Sequence, residues 1–178
     1  FNAPVGIKED FMLDRINDYR AGRGLPALTD NVLLARAAWW QSVDLARSPW
    51  LIESGRWHEG ADGSDIGARI SRAGYRAATW KEIVGWGFNG DGVAMFNWWV
   101  NSPVHRDAIL SDKITEAGVA YFVAPGSVWG HYWCVDFGRP LGTAVAVGTP
   151  RPYSVNMPVV VGAGETPSNS TGLDLLDY

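Results

Sequence analysis

The stretch WWVNSPVHRDAIL, residues 98–110, predicts the end of one helix, the start of another and a histidine at their junction. Residues 92–100 are mostly apolar and have helical spacing. Ser102-Pro103 then marks a new helix start, because proline is tolerated in the first turn of a helix. His105 follows directly behind this signal. The stretch therefore predicts two consecutive short helices, with His105 just inside the second.

The segments on both sides of this stretch alternate between helical and strand patterns. Upstream, the predicted elements are helices over residues 8–20, 29–47 and 66–73 and a strand over residues 80–87. Thr29 and Asp30 are the capping candidates of the second helix. Downstream, strands over residues 117–124 and 129–137 are joined by a Pro-Gly-Ser turn, which predicts a hairpin. This order predicts an α+β fold, with helices on both faces of a small antiparallel sheet.

Composition predicts one folded domain and excludes several classes of function. The chain has 178 residues, of which 47% are hydrophobic and ten are tryptophan, as expected for a protein with a real core. A net charge of −4 provides no basic surface for nucleic acid. No apolar run approaches the roughly 20 residues that span a bilayer. We expect the domain to occupy residues 1–139, and residues 140–178, rich in Pro, Gly, Ser and Thr, to form an extension or linker.

Two of the three histidines lie beside signals that end or begin a helix, and a strand-like segment with one acid, Glu82, lies between them in the sequence. His58 occurs in RWHEG, His105 in NSPVHR, and Glu82 in the strand-like segment WKEIVGWG. Imidazoles close to a carboxylate ligate a divalent metal or transfer protons. The alternative is that each histidine only caps or packs a loop.

The chain resembles the CAP superfamily, also called the SCP/PR-1-like domain, in its bacterial form. The resemblance covers residues 8–138 or so and rests on motifs in the order typical of that family. These are DRINDYRAGRGLPAL (14–28), WH (57–58), ARISRAGY (68–75), Glu82 before an apolar strand, WWVNSPVHRDAIL (98–110), TEAGVA (115–120) and YWCVDFG (132–138).

This resemblance implies an α–β–α sandwich with a cleft in which histidines and acids converge. Many members hold a divalent cation there, often zinc, and the matching positions in this chain are His58, Glu82 and His105. His58 and His105 are then the expected metal ligands, and Glu82 ligates, orients a bound water or supports a ligand. Two imidazoles are fewer than the three protein ligands of typical catalytic zinc sites, so we expect weak binding.

The chain departs from the family pattern at the acids and cysteines of the cleft. Animal and plant relatives carry a second glutamate in the helix before the second histidine, where this chain has Val100, Asn101 and Ser102. Glu116 is the candidate that replaces it, and Glu82 and Glu116 are the candidate catalytic acids. The Gly-Glu-Asn of many relatives is Lys-Glu-Ile here, and the single cysteine, Cys134, excludes the internal disulfides of eukaryotic members.

Several other motifs are set aside. HEGAD at residues 58–62 lacks the second histidine of a HExxH zinc site, and no GxSxG esterase elbow occurs. Cys134 and His131 would face opposite sides of a strand, which excludes a Cys–His nucleophile. Gly130-His131-Tyr132 resembles a signature of eukaryotic members, but there a Gly-Val strand follows it, whereas here that strand precedes it. We therefore expect His131 to be a strand-end residue.

The leading expectation is a secreted or cell-surface binding module that holds zinc weakly and engages a lipid or sterol, a cell-wall component or a protein. A first residue other than methionine is compatible with a signal peptide already removed. The alternative is a metal-dependent peptide or ester hydrolase that uses His58, Glu82 and His105. A third interpretation is an adhesive or structural part of a larger secreted protein.

Overall fold

The computed structural model of the protein describes residues 6–142. Within this range the helices are α1 (Ile7–Ala21), α2 (Val32–Arg47), α3 (Trp50–Glu53), α4 (Ile66–Arg72), α5 (Gly92–Asn101) and α6 (Pro103–Ile109). The strands are β1 (Thr29–Asp30), β2 (Ala77–Trp86), β3 (Glu116–Val123) and β4 (His131–Pro140). The helix and strand positions predicted from the sequence are confirmed to within a few residues, whereas α3 and β1 were not predicted.

The four strands form one sheet in the order β1-β3-β4-β2. The predicted hairpin is confirmed, because β3 and β4 are consecutive antiparallel neighbours. β2 lies antiparallel to β4 on its other side. β1 is a two-residue strand parallel to β3, so the sheet is antiparallel except at this edge.

Alternation along the strands divides the sheet into two faces with different surroundings. The face that carries Glu82 and Cys134, here called the acidic face, packs against α2, α3 and α4. The face that carries Ile83 and Val135, here called the apolar face, packs against α1, α5 and α6. Helices therefore cover both faces of the sheet, and the expected α–β–α sandwich is confirmed.

The start of α2 differs from the prediction. Thr29 and Asp30 pair with β3 instead of capping the helix. The cap is Asn31, whose side chain accepts hydrogen bonds from the backbone N–H groups of Leu33 (2.9 Å) and Leu34 (3.3 Å). The pairing with β3 keeps residues 29–30 extended, so the first residue that can cap lies one position later.

Three further helices begin at residues that helix N-termini favour. Asp65 caps α4 by accepting from Ala68 N–H at 2.7 Å, and Asp91 caps α5 in the same way through Val93 and Ala94. Pro103 occupies the first turn of α6. None of the helices in residues 6–142 combines the length and apolarity needed to cross a membrane. Of the predicted extension, only residues 140–142 lie within the described part of the chain.

Candidate functional site

Glu82 is the centre of a buried ionic cluster on the acidic face. Its side chain has no exposed surface, and its Oε1 lies 2.8 Å from Nδ1 of His58. Its other carboxylate oxygen accepts a hydrogen bond from Nη2 of Arg69, whose side chain is also fully buried. The His58 side chain keeps 38% of its surface exposed. The cluster therefore connects a buried ion pair to an imidazole at the protein surface.

The loop between α3 and α4 holds His58 through backbone contacts on both sides. Nε2 of Gln41, a buried residue of α2, donates to the carbonyl groups of Trp57 (2.5 Å) and Glu59 (3.0 Å). Arg69 donates from Nη1 to the carbonyl oxygen of His58 at 3.1 Å. One guanidinium thus fixes both the backbone of His58 and the carboxylate that its ring contacts.

Burial and neighbouring charges shift the pKa of Glu82 in opposite directions. Burial by itself would raise its pKa, but the hydrogen bond with His58 and the charge of Arg69 hold the pKa below its usual range. Glu82 is therefore ionised and balances the charge of Arg69. Because each carboxylate oxygen already has a partner, Glu82 acts as a support for His58 in this arrangement.

Two further titratable groups lie behind Glu82. Asp136 is its register partner on β4, and Cys134 lies two residues earlier on the same face. Both side chains are completely buried. Burial raises the pKa of Asp136, and the charge of Glu82 raises it further. Burial likewise raises the pKa of the Cys134 thiol, which disfavours the nucleophilic thiolate form.

His105 belongs to the other helical layer. It lies on α6, which packs on the apolar face through Ala108 and Ile109. Its ring contacts that of Trp98, with centroids 4.9 Å apart. Within residues 6–142, one group of three side chains has donor atoms close enough together to hold a metal ion, all within 4.8 Å of one another. It consists of Glu82, Cys134 and Asp136 and includes neither histidine. The structure thus brings His58 into contact with Glu82, and neither histidine belongs to the three-donor set. The metal role of His58 and His105 stays a prediction.

Glu116 lies at the start of β3, away from the His58 contact. It is buried, and its Oε2 accepts a hydrogen bond from Nδ2 of Asn31, the cap of α2, at 3.1 Å. Its register partner on β4 is Gly138, whereas that of Glu82 is Asp136. Its proposed role as the missing cleft acid stays a prediction.

His131 is the first residue of β4, in agreement with the prediction. Its Nδ1 lies 2.6 Å from the hydroxyl group of Tyr121, and Lys8 lies over the Tyr121 ring at 4.7 Å. Burial and the charge of Lys8 lower the pKa of His131. Strand alternation places His131 on the apolar face and Cys134 on the acidic face, which confirms that they do not form a catalytic pair.

Sequence reasoning assigned no role in the site to Arg69, Gln41 or Asp136. Arg69 had a visible signal, because it falls within the apolar stripe of α4 formed by Ile66, Ile70 and Ala73. A charge on the buried side of a helix indicates a buried partner. Asp136 had a similar signal as a charged residue within an otherwise apolar strand.

Comparisons with known proteins agree with this architecture. The family model described as the cysteine-rich secretory protein family, CAP, matches residues 13–137. No curated protein sequence gives a significant match. Similar solved structures include an extracellular SCP-domain protein of Bacillus anthracis, with 23% identity and a TM-score of 0.60 over 74% of this chain. An outer surface protein of Borrelia burgdorferi has 18% identity and a TM-score of 0.59 over 75% of this chain and 93% of its own.

A cysteine-rich secretory protein of Staphylococcus aureus has 23% identity and a TM-score of 0.55 over 76% of this chain. The chain spans 40% of the length of the Bacillus protein and 40% of the Staphylococcus protein. At these identities the structural likeness establishes the fold. The family match covers well over half of the chain, and the chain therefore belongs to the CAP, or cysteine-rich secretory protein, family.

Proposed function

We propose that this chain is an exported binding domain whose recognition surface is centred on His58. The observation that carries the proposal is the contact between a partly exposed imidazole and a fully buried carboxylate, 2.8 Å apart. A hydrogen bond at Nδ1 fixes the ring orientation and leaves Nε2 as the second ring nitrogen. An imidazole supported in this way by a carboxylate is the usual arrangement of a histidine that binds a metal or a polar ligand group.

A weakly bound divalent cation, with zinc as the expected ion, is part of this proposal. The proposed ligands are His58 and His105; α6, which carries His105, contacts the edge strand β2 that also carries Glu82. Glu82 orients the His58 ring without ligating. Two imidazoles leave positions open for a ligand group or water, which is consistent with weak affinity.

The surroundings of His58 favour a ligand with an apolar or ring-shaped part. Trp57, its chain neighbour, lies 6.3 Å from Trp86 between ring centroids, and Trp86 lies 5.8 Å from Trp129. All three rings are half-buried. Aromatic side chains with partly exposed faces suit a lipid or sterol, a sugar of the cell wall or an apolar protein segment. Export is proposed because the Bacillus and Borrelia structures are described as extracellular and outer surface proteins.

The contacts of Glu82 argue against the hydrolase alternative. A general base needs a carboxylate oxygen that a water molecule can reach. Glu82 is fully buried, and its oxygens contact His58 and Arg69. The nearby thiol of Cys134 is buried and protonated.

Titration calorimetry with zinc tests the proposal. The unmodified protein is compared with His58→Ala, His105→Ala and, as a matched control, His131→Ala. We expect a binding heat that is lost in the first two variants and retained in the third. Loss in His58→Ala alone would remove His105 from the site, and equal heats in all four proteins would refute the metal part of the proposal.

A further inference from the structure

The strongest feature outside the His58 surface is the buried set Glu82, Cys134 and Asp136. Its donor atoms all lie within 4.8 Å of one another, and all three residues are buried. Cys134 and Asp136 are two residues apart on β4 and so face the same side of the sheet, and the register places Asp136 directly opposite Glu82. Strand geometry alone therefore brings a sulfur and two carboxylates together.

A second observation points to a ligand at this place. Asp136 has no exposed surface, and no donor group among the described residues reaches its carboxylate oxygens; the group that it faces is a second carboxylate, Glu82. Two buried carboxyl groups that face each other need either a shared proton or a cation between them. An ion held by both Asp136 and its neighbours would satisfy those oxygens.

We propose that Cys134, Asp136 and Glu82 form a second, interior site for a divalent cation that accepts thiolate, of the zinc class. Zinc lies about 2.3 Å from cysteine sulfur and about 2.0–2.2 Å from carboxylate oxygen, so small side-chain rotations would bring three donors at this spacing onto one ion. Sulfur and oxygen donors together select zinc or cobalt over magnesium or calcium. Each oxygen of Glu82 keeps a lone pair besides those directed to His58 and Arg69.

The charges of the cluster are compatible with such an ion. In its absence, Glu82 balances Arg69, and the raised pKa values of Asp136 and Cys134 keep both groups neutral. A divalent cation that displaces the two protons to solvent adds two positive charges and creates two negative ones. The net charge of the interior is therefore the same with the ion and without it, and Arg69 needs no new partner.

Cobalt substitution tests the site directly, because Cys134 is the single cysteine of the chain. The full chain is refolded from denaturant with Co²⁺, since the site is buried, and is then dialysed. We expect one tightly held Co²⁺ per chain and a sulfur-to-cobalt charge-transfer band, which only Cys134 can produce. Absence of bound cobalt, or bound cobalt without this band, would overturn the proposal and leave a proton shared between Asp136 and Glu82 as the explanation of the cluster.

Variants separate this site from the His58 surface. Cys134→Ser should lose the charge-transfer band, and Asp136→Asn should lose tight retention of the ion. His131→Ala is the matched control and should keep both, because His131 lies on the apolar face and contacts none of the three donors. Loss of the band in the control would show that the band does not depend on the interior donors alone and would contradict the proposal. Circular dichroism of each variant verifies that it has folded, and the measurement on the unmodified chain needs no variant.

Discussion

Arg69 is the residue on which the interior of the acidic face depends. Its guanidinium is fully buried, contacts the Glu82 carboxylate and holds the backbone of His58. A buried cation without a counter-charge is strongly destabilising, whereas a complete buried pair is close to neutral. Asp136 is also close enough to Arg69 for a charge on its carboxylate to raise the pKa of Arg69. Asp136 is therefore a second acid of the cluster, which stays neutral as long as Glu82 is ionised.

Removing the two acids one at a time tests whether Asp136 can replace the charge of Glu82. Glu82→Gln removes the partner of Arg69, but Asp136 can then ionise in its place, so we expect only a moderate loss of unfolding free energy. Glu82→Gln combined with Asp136→Asn leaves Arg69 without a carboxylate and should cost about 3–5 kcal/mol. Denaturant unfolding measures both losses.

The matched control for these variants is Glu59→Gln, which removes a carboxylate from the solvent-exposed pair with Arg56. Its unfolding midpoint should not change, because exposed pairs contribute little. A Glu82→Gln variant that is as unstable as the double variant would show that Asp136 does not replace the lost charge.

At the scale of elements, the fold depends on how closely α2 approaches β3. Gly118 of β3 lies directly under the backbone of Ala35. A Cβ atom at Gly118 would lie 1.9 Å from the backbone nitrogen of Ala35, which is far inside any allowed contact. The helix face that meets the sheet carries small residues such as Ala35 and Ala38. Glycine at position 118 is therefore required by packing and not by its own dihedral angles.

Gly118→Ala should consequently be among the most destabilising single substitutions in the chain. The clashing atoms belong to the backbone and cannot rotate away, so we expect a loss of about 3 kcal/mol or more, the upper range for overpacking. Gly22→Ala is the matched control: Gly22 has a φ of −61° at the end of α1, and an added Cβ would meet its first neighbour at 3.6 Å. Thermal unfolding should show Gly22→Ala equal to or above the unmodified protein, and a comparable midpoint for both variants would contradict the close approach.

At the scale of the whole molecule, the sheet separates two cores. Ile16 of α1 belongs to the core on the apolar face, and Ile70 of α4 to a core on the acidic face. Both side chains are essentially inaccessible to solvent. Because the sheet lies between them, each core should respond to a small cavity without affecting the other.

A double-mutant cycle tests this separation. Ile16→Val and Ile70→Val should each cost about 0.5–1.5 kcal/mol of unfolding free energy. Their combination should equal the sum within about 0.5 kcal/mol, because the two sites share no partner. The pair Ile16→Val and Ile109→Val, within one core, provides the comparison. A larger coupling between Ile16 and Ile70 than within this pair would show that the two layers are not independent.

The elements were predictable to the extent that their signals are local. Pro103 and Asp65 mark helix starts through the backbone groups of their immediate neighbours, and the Pro-Gly-Ser turn between β3 and β4 determines the hairpin. The family motifs also indicated that His58 and Glu82 belong together. The turn at residues 87–90 was not predicted, because Phe88 and Asn89 adopt a φ of +50° that few side chains tolerate.

The sequence by itself determined the order of helices and strands, the sandwich and the candidate side chains. Only the tertiary structure decided that Arg69 and Asp136 join Glu82, and that the helix carrying His105 packs on the opposite face of the sheet. The physical reason is the sequence separation between the residues that determine each feature. Helix caps and turns are set by residues a few positions apart, whereas strand register and burial depend on segments far apart in the sequence that meet only when the whole chain packs.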